Sequence, residues 1–342
     1  QSSDCTYQRT ISSSSGTLTG KGTLGVYSWH TQEYLSLAAN IQKRNFGALL
    51  LHGAANSGRA ELTNQLIQFA LCQSPQDLQA CGECSSCILW SEGNHPDIML
   101  LAGDNSEERK SLQIKVEQVR EVIDFASKSR HLSPRKIIHL PDALQLNLNS
   151  ANALLKILEE PAPNCIFILQ TNNINKLLPT IKSRCFKYQL AHPTWDEALS
   201  VVRENNLDNA EFWLRYFNGE PLFIPPFEGY ELVQLKSALL RPSIDAIFAL
   251  VKELDPKRVG MAHLLDFMLK WLSDLLLVRQ GSDASYFVNE TEAMQKLVVK
   301  INYDKFFNLQ EDMVFLTLWS EHPLNHKLQF ENILFKYQQI YV

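Results

Sequence analysis

The chain has 342 residues and a formal net charge of −5, and its length exceeds what one core of ordinary size accommodates, so we expect two or three domains. Hydrophobic residues make up 45% and charged residues 20%, a globular composition that excludes a largely disordered protein. No run of about 18 apolar residues occurs, so no membrane-spanning helix is expected, and the acidic balance argues against a nucleic-acid binder with a broad basic face.

The first 25 residues differ from the rest of the chain. They are rich in Ser, Thr and Gly, show no apolar period and lack the continuous apolar segment of a secretory signal. We interpret residues 1–25 as a disordered or non-native extension. Four of the seven cysteines are clustered and nothing in the sequence indicates export, which is typical of a protein of the reducing cytoplasm.

From Val26 onward, short apolar runs alternate with longer amphipathic segments. The short runs are typical of buried strands and lie at Ala48–His52, Lys136–Leu140 and Cys165–Leu169. The longer segments predict helices and span residues 60–71, 116–125 and 150–160. This alternation predicts an α/β domain over residues 26–190, with a mostly parallel sheet covered by helices on both faces.

Beyond about residue 190 the spacing of apolar residues is helical. We expect a small helical domain over residues 191–230 and an all-α domain over residues 231–342. Within the second domain, Met268–Val278 predicts a buried amphipathic helix. Two further apolar stripes consist of Ile244, Ile247, Phe248 and Val251, and of Phe330, Ile333, Leu334 and Tyr337.

A glycine-spaced loop joins the first strand to the first helix of the α/β pattern. It has the spacing of a P-loop, in which backbone N–H groups cradle phosphate, a lysine reaches the outer phosphates and a hydroxyl binds magnesium. Gly53 and Gly58 are kept, but Arg59 replaces the lysine and Ala60 replaces the hydroxyl residue. A chance pair of glycines is the alternative, and the strand–loop–helix context favours a degenerate P-loop.

A second departure from a working ATPase follows the strand at Lys136–Leu140. An active enzyme of this type carries Asp-Glu there, to hold magnesium and polarise water. Here Pro141 stands in place of the magnesium ligand and is followed by Asp142. We therefore expect no ATP hydrolysis by this chain alone.

A cysteine cluster with the spacing C-x8-C-x2-C-x2-C follows the predicted P-loop helix and consists of Cys72, Cys81, Cys84 and Cys87. Four thiolates this close in sequence predict one structural zinc ion per chain, in a tetrahedral site with no open position. An iron–sulfur cluster is the alternative, but its expected cysteine followed by proline is absent. Disulfides are disfavoured in a reducing compartment. Cys165 and Cys185 are interpreted as core residues.

Together these motifs resemble the clamp-loader branch of the AAA+ family, and within it the bacterial delta-prime family of DNA polymerase III. Besides the cysteine cluster, the motifs that carry the resemblance are His95-Pro96-Asp97, Asn152–Pro161, Ser183-Arg184-Cys185 and Leu324–Leu328. Gamma/tau-type subunits share most of these motifs but keep an intact P-loop. The degenerate loop therefore favours delta-prime.

The resemblance implies roles for individual residues. In that family the arginine of Ser-Arg-Cys reaches across a subunit interface to the γ-phosphate held by a neighbour, which makes Arg184 an arginine finger in trans. A surface arginine in a salt bridge is the alternative. Thr171 matches a nucleotide-sensing position of active relatives and is interpreted as structural here. The stretch Gly219–Pro221 lacks the arginine that active relatives place nearby.

The resemblance also implies a place in a complex. Residues 191–230 would form a lid, and residues 231–342 a collar that joins a hetero-pentamer with gamma/tau-like ATPase subunits and the delta subunit. That complex loads the sliding clamp onto primed DNA during chromosomal replication, in the bacterial cytoplasm at the nucleoid-associated replisome. Two alternatives are an active gamma/tau-like ATPase and a zinc-ribbon nucleic-acid-binding protein.

Overall fold

The computed structural model describes residues 21–22, 24–103, 113–317 and 325–341. Most of the extension predicted at residues 1–25 lies outside these ranges, as does Leu324 of the Leu324–Leu328 motif.

Strands occur only in the first part of the described chain. They are β1 (Ala48–His52), β2 (Ile98–Leu100), β3 (Lys136–Leu140), β4 (Cys165–Thr171) and β5 (Phe186–Gln189). The helices among and around them are α1 (Thr31–Lys43), α2 (Arg59–Leu71), α3 (Ser85–Ser91), α4 (Val116–Ser127), α5 (Leu148–Glu159), α6 (Pro179–Lys182) and α7 (Trp195–Glu204). The later helices are α8 (Ala210–Tyr216), α9 (Gly229–Leu240), α10 (Ile244–Glu253), α11 (Pro256–Val259), α12 (Met261–Arg279), α13 (Thr291–Val298), α14 (Tyr303–Thr317) and α15 (His326–Gln339).

The strands form one parallel sheet in the order β2-β3-β4-β1-β5. In its centre, β1 pairs with β4 from Ala48 opposite Phe167 to His52 opposite Thr171. Because parallel strands run in one direction, the carboxyl ends of β1, β3 and β4 gather at the same edge of the sheet. Ligands of open parallel sheets bind at such an edge, and here it carries the degenerate P-loop.

The central strands bury side chains on both faces. Leu49 and Leu51 of β1 belong to the core under α1 and α2, together with Ile168 of β4. Ala48 and Leu50 point into the opposite core, under α4 and α5. Both faces take apolar residues because helices cover both, which is why these strands are continuous apolar runs in the sequence. The predicted α/β fold class is confirmed.

The apolar pattern predicts β1 and β3 with their correct ends and β4 with two residues too few. It predicts α2, α4 and α5 to within two residues at each end. It does not reveal β2, which has three residues, or β5, whose Phe186 is 45% exposed. A short or exposed strand gives no apolar run, so neither has a signal in the sequence.

The chain divides into two compact units. The first comprises Gln1–Leu207 together with Gly219–Leu222, and the second comprises Asp208–Asn218 together with Phe223–Val342. Residues 191–230, the predicted lid, are shared between the two units. The division into an α/β domain, a lid and a collar stays a prediction.

Among its described residues, the second unit contains helices but no strand, and it has an aromatic core. Trp271 of α12 is fully buried, and its Nε1 donates to the Tyr337 hydroxyl at 2.8 Å. That hydroxyl donates to the Leu239 carbonyl at 2.9 Å, so one chain of hydrogen bonds joins α12, α15 and α9. The helix predicted at Met268–Val278 is confirmed as part of α12. Within the described ranges, no helix has both the length and the apolar character that crossing a membrane requires.

The two apolar stripes predicted in this unit have different outcomes. The stripe on α15 is fully buried. On α10, Ile247 and Val251 are buried, whereas Ile244 and Phe248 are 55% and 58% exposed. The apolar face of α10 is thus wider than its contact with the core. The Phe248 ring lies edge-on to Phe335 at 5.6 Å between centroids instead.

Asp274 is a fully buried carboxylate on α12. It accepts hydrogen bonds from the backbone N–H groups of residues 285, 286 and 287 at 2.8, 2.9 and 2.7 Å. Three donors compensate the buried charge and fix the segment that follows α12 against the helix.

We expect Asp274→Ala to destabilise the second unit by about 3 kcal/mol, because three buried N–H groups lose their acceptor. Asp274→Asn keeps one acceptor oxygen and should cost less. Urea denaturation gives the free energy of unfolding, and hydrogen exchange at the amides of residues 285–287 locates the change. Equal stability of the wild type and Asp274→Ala would contradict this role.

Candidate functional site

The degenerate P-loop at the carboxyl edge of the sheet is the first part of the candidate site. Gly53 N–H donates to the Thr171 carbonyl at 3.3 Å, which ties the start of the loop to the end of β4. At the other end of the loop Gly58 has a φ of +92°, and a Cβ there would lie 2.5 Å from the Tyr27 ring. Both the backbone conformation and the packing therefore require glycine at this position.

The segment that precedes α1 packs on this loop. The Trp29 Nε1 donates to the Ser57 carbonyl at 2.7 Å, and the rings of Tyr27 and Trp29 stack with centroids 4.8 Å apart. The Ser57 hydroxyl donates to the Ala54 carbonyl at 2.9 Å within the loop itself. The loop is thus fixed by an aromatic pair on one side and by its own hydroxyl.

Arg59 points into the protein. It is only 9% exposed, and its Nη1 donates to the Gly53 carbonyl at 2.9 Å while its Nε donates to Gln170 Oε1 at 3.2 Å. The lysine of an active P-loop reaches the outer phosphates instead. The cation at this position is therefore held by the chain's own carbonyl and amide oxygens.

Gln170 continues this chain of hydrogen bonds to His139. Because its Oε1 accepts from Arg59, its Nε2 donates to the His139 Nε2, 3.1 Å away. His139 therefore carries its proton on Nδ1, which has no partner among the described residues. Burial lowers the pKa of His139 to about 3, so the ring is neutral.

Two carboxylates act on the charge of Arg59. Burial lowers the pKa of the guanidinium, and the negative charges of Asp142 and Glu220 oppose that effect. Asp142 also accepts a hydrogen bond from the Leu144 N–H at 3.0 Å and caps the turn after β3. Ala60, at the start of α2, offers no oxygen for a metal ion.

Glu220 contacts the P-loop directly. Its Oε2 accepts a hydrogen bond from the Asn56 N–H at 2.9 Å, across 164 positions of sequence. Two residues later, the Leu222 N–H donates to the Asn56 carbonyl at 3.0 Å. The segment Gly219–Leu222 belongs to the same compact unit as the loop. A carboxylate of the chain thus occupies a backbone donor of the phosphate loop.

Thr171 is fully buried at the end of β4. Its hydroxyl oxygen accepts a hydrogen bond from the Asn173 N–H at 3.2 Å and shapes the turn that follows the strand. This contact fits the structural interpretation of Thr171.

The four clustered cysteines form the second part of the candidate site and extend from the end of α2 to the first turn of α3. All four sulfur atoms lie within 4.8 Å of one another, and the Cys72 sulfur lies 3.5 Å from that of Cys81 and 4.0 Å from that of Cys84. Four sulfurs bound to one zinc ion at about 2.3 Å stand about 3.8 Å apart. The donor set therefore fits a tetrahedral zinc ion.

Backbone N–H groups point at these sulfurs. Those of Cys81, Cys84 and Cys87 donate to sulfurs of the cluster at 3.3, 3.4 and 3.4 Å. Burial acts to raise the pKa of Cys84, but N–H donors including that of Gln73 outweigh it and lower the pKa to about 6. Burial raises the pKa of Cys72 and Cys87. A bound cation would favour the thiolate form of all four.

The motif His95-Pro96-Asp97 ties α3 to the rest of the unit. His95 Nδ1 accepts from the Asp97 N–H at 3.0 Å, so its Nε2 carries the proton and donates to the Ser86 hydroxyl on α3 at 2.7 Å. The Asp97 carboxylate accepts from the N–H groups of residues 131, 132 and 133 at 2.6, 2.7 and 2.8 Å. Burial acts to raise the pKa of Asp97, but these donors keep it below its usual value.

Arg184 forms the third part of the candidate site, on the surface between α6 and β5. Its Nε and Nη2 bind the Glu159 carboxylate at 3.0 and 2.9 Å, and its Nη1 donates to the Thr180 carbonyl at 3.2 Å. The side chains of Arg184 and Glu159 are 29% and 60% exposed. The guanidinium is thus held by a surface ion pair and is open to an approaching molecule.

The sequence motifs assign no contact to four side chains that shape these sites, which are His139, Glu159, Gln170 and Glu220. A polar residue inside an apolar strand is itself a signal, because a buried imidazole or amide needs a partner. That signal applies to His139 and Gln170. The contacts of Glu159 and Glu220 have no local mark in the sequence.

Comparison with known proteins identifies relatives of the first unit. Residues 30–194 match the family described as DNA polymerase III, delta subunit. The DNA polymerase III subunit delta' of Pseudomonas aeruginosa is 38% identical over 160 residues, 47% of each chain. That of Escherichia coli is 36% identical over 168 residues, 49% of each chain. The chain thus spans about half the length of the curated relatives it matches.

Solved structures with a similar course of the chain are more distant. A DNA polymerase III gamma subunit-related protein of Thermotoga maritima has a TM-score of 0.44 at 19% identity, over 90% of this chain and 99% of that one. The RuvB Holliday junction branch migration motor of the same organism has a TM-score of 0.37 at 14% identity, over 81% and 89% of the two chains.

Because His139 is buried and neutral, the stability of the first unit should depend on pH. Its folded pKa of about 3 lies below the ordinary value of 6.5, so the unfolded chain binds a proton that the folded chain excludes. Its contribution to stability is complete above pH 6.5 and is lost as the pH falls toward 3. At pH 5 the loss is roughly 2 kcal/mol.

The measurement is urea denaturation between pH 7.5 and pH 5, with excess zinc present. His139→Asn keeps an acceptor for Gln170 but does not titrate. The free energy of unfolding of this variant should therefore fall less steeply with decreasing pH, because its unfolding takes up about one proton fewer than that of the wild type. Parallel pH profiles of the two proteins would contradict the prediction.

Proposed function

We propose that this chain is a member of the delta' family of DNA polymerase III and the non-hydrolysing subunit of a bacterial clamp loader; the similarity of residues 30–194 to DNA polymerase III subunits supports this proposal. Neighbouring ATPase subunits hydrolyse ATP, and the chain contributes an arginine finger and a zinc-stabilised scaffold. The observation that carries the proposal is the degenerate P-loop, in which Arg59 is turned inward and bound to Gly53 and Gln170.

The two alternatives fit the observations less well. An active gamma/tau-like ATPase needs a cation that reaches the outer phosphates and a hydroxyl for magnesium. Arg59 is buried and Ala60 has no hydroxyl, so neither requirement is met. A zinc-ribbon nucleic-acid binder would carry a basic face, and the net charge of −5 disfavours it.

In this proposal Arg184 acts on ATP held by a neighbouring subunit. Its ion pair with Glu159 is exposed and contributes about 0–1 kcal/mol. An arginine at the transferring phosphate of a nucleotide hydrolase is worth roughly 10³–10⁵ in rate. Arg184 therefore loses little free energy when it leaves Glu159 for a phosphate oxygen. At the phosphate it stabilises the charge that develops during hydrolysis.

The four cysteines hold one structural zinc ion in this proposal. When bound, the ion supplies positive charge to the four sulfurs and closes the segment between α2 and α3. Four protein ligands fill the tetrahedral site, so the metal serves folding rather than catalysis. The bond from His95 to Ser86 connects the cysteine segment to the rest of the unit.

The partners follow from the same proposal. Residues 191–230 act as the lid and residues 231–342 as the collar, which joins a hetero-pentamer with gamma/tau-like ATPase subunits and the delta subunit. The complex loads the sliding clamp onto primed DNA in the bacterial cytoplasm. Support comes from α14, where Phe307 and Val314 lie seven residues apart on one face and are 48% and 52% exposed.

Purified protein should contain one zinc ion per chain, measured by elemental analysis under reducing conditions. Cys84→Ser removes one ligand, so zinc content should fall and the free energy of unfolding should drop by roughly 2 kcal/mol or more. Ser91→Ala, an exposed change on the same α3 helix, is the control and should alter neither. Iron, or metal-free reduced protein of undiminished stability, would contradict the zinc assignment.

Arg184→Ala should lower the ATPase of a reconstituted loader only in part, because a single ATP site is served by this chain. Clamp loading needs the sites to act together and should fall further. The rates of ATP hydrolysis, with clamp and primed DNA present, and of loading are measured beside the amount of assembled complex.

Arg130→Ala is the matched control, since Arg130 is also an exposed arginine that donates to a carbonyl, that of Pro134. It should leave both rates unchanged. If Arg184→Ala also leaves both rates unchanged in an intact complex, Arg184 is only a surface arginine. Failed assembly would assign it to the interface and contradict the finger.

A further inference from the structure

We propose that Glu220 is an internal ligand of the degenerate P-loop, whose carboxylate takes the place of a phosphate group and keeps free anions out. The inference concerns the chain's own loop, and it requires neither a neighbouring subunit nor a role for Arg184.

The Glu220 carboxylate contacts the loop as a bound anion would. A P-loop binds phosphate oxygens through backbone N–H groups at the start of a helix. The Asn56 N–H donates instead to the Glu220 carboxylate at 2.9 Å. A carboxylate oxygen is a charged acceptor, as a phosphate oxygen is, so it satisfies the same donor.

The carboxylate is positioned in advance of any ligand. The Leu222 N–H donates to the Asn56 carbonyl, so the backbone on both sides of the Asn56 residue is bound to one short segment. Because Gly219–Leu222 is part of the same compact unit as the loop, the carboxylate is present at high effective concentration. A free anion has to displace it before it binds.

The charges around Arg59 work in the same direction. Arg59 is a buried cation, and the two acids that act on it are Asp142 and Glu220. The three side chains together carry a charge of −1, which repels an incoming anion. Removal of the Glu220 carboxylate leaves a charge of zero and frees the Asn56 N–H.

The test is calorimetric titration of the purified full-length chain with inorganic pyrophosphate, without magnesium. A charge-assisted hydrogen bond that has to be broken lowers affinity by about one to two powers of ten. We therefore expect Glu220→Ala to bind pyrophosphate at least about tenfold more tightly than the wild type. Glu220→Gln keeps an acceptor without charge and should lie between the two. Glu204→Ala, an exposed acid of the same unit, should behave as the wild type.

A second measurement follows the loop itself. Without ligand, the Asn56 amide should exchange its hydrogen faster in Glu220→Ala than in the wild type, and pyrophosphate should restore its protection. If Glu220→Ala binds pyrophosphate no more tightly than the wild type does, the proposal is wrong. Should Glu220→Ala fail to fold, the same comparison between Glu220→Gln and the wild type decides.

Discussion

A buried guanidinium beneath the phosphate loop is the constraint on which the first unit depends. A charge in the protein interior has to be compensated by hydrogen bonds and by opposite charge. Arg59 obtains the Gly53 carbonyl and the Gln170 amide oxygen, and Gln170 then requires an acceptor, which His139 provides only while it is neutral. The loop after β1 is thereby joined through β4 to β3, across the centre of the sheet.

The two arginines of the candidate sites differ in how much of the side chain is exposed to solvent. Arg59 is nearly inaccessible, and its Nε and Nη1 donate to acceptors within the unit. Arg184 keeps part of its guanidinium at the surface, in a pair with Glu159 that water screens. The first cation belongs to the interior of the unit, and the second is partly exposed at its surface.

Local sequence signals account for much of this fold and for part of its sites. The strands β1, β3 and β4 are predictable because helices cover both faces of the sheet. The cysteine cluster is predictable because its four residues are close in sequence and their sulfurs meet in the structure. The contact of Glu220 with the Asn56 amide spans 164 positions and depends on the path of the whole unit. The exposed strand β5 gives no apolar run in the sequence, and the exposed Phe248 lies within one. Apolar spacing therefore does not tell how much of a helix or strand face the core covers.

The inward turn of Arg59 also bears on whether such a loop can be repaired by reversion. The single substitution Arg59→Lys would restore the residue type of an active loop but remove the Nε donor that Gln170 Oε1 uses. A buried oxygen without a donor costs about 1–3 kcal/mol, and His139 would lose its ordered neighbour. Arg59→Lys alone would therefore lower the stability of the first unit, because at this position the residue type of the loop is tied to the packing of the sheet beneath it.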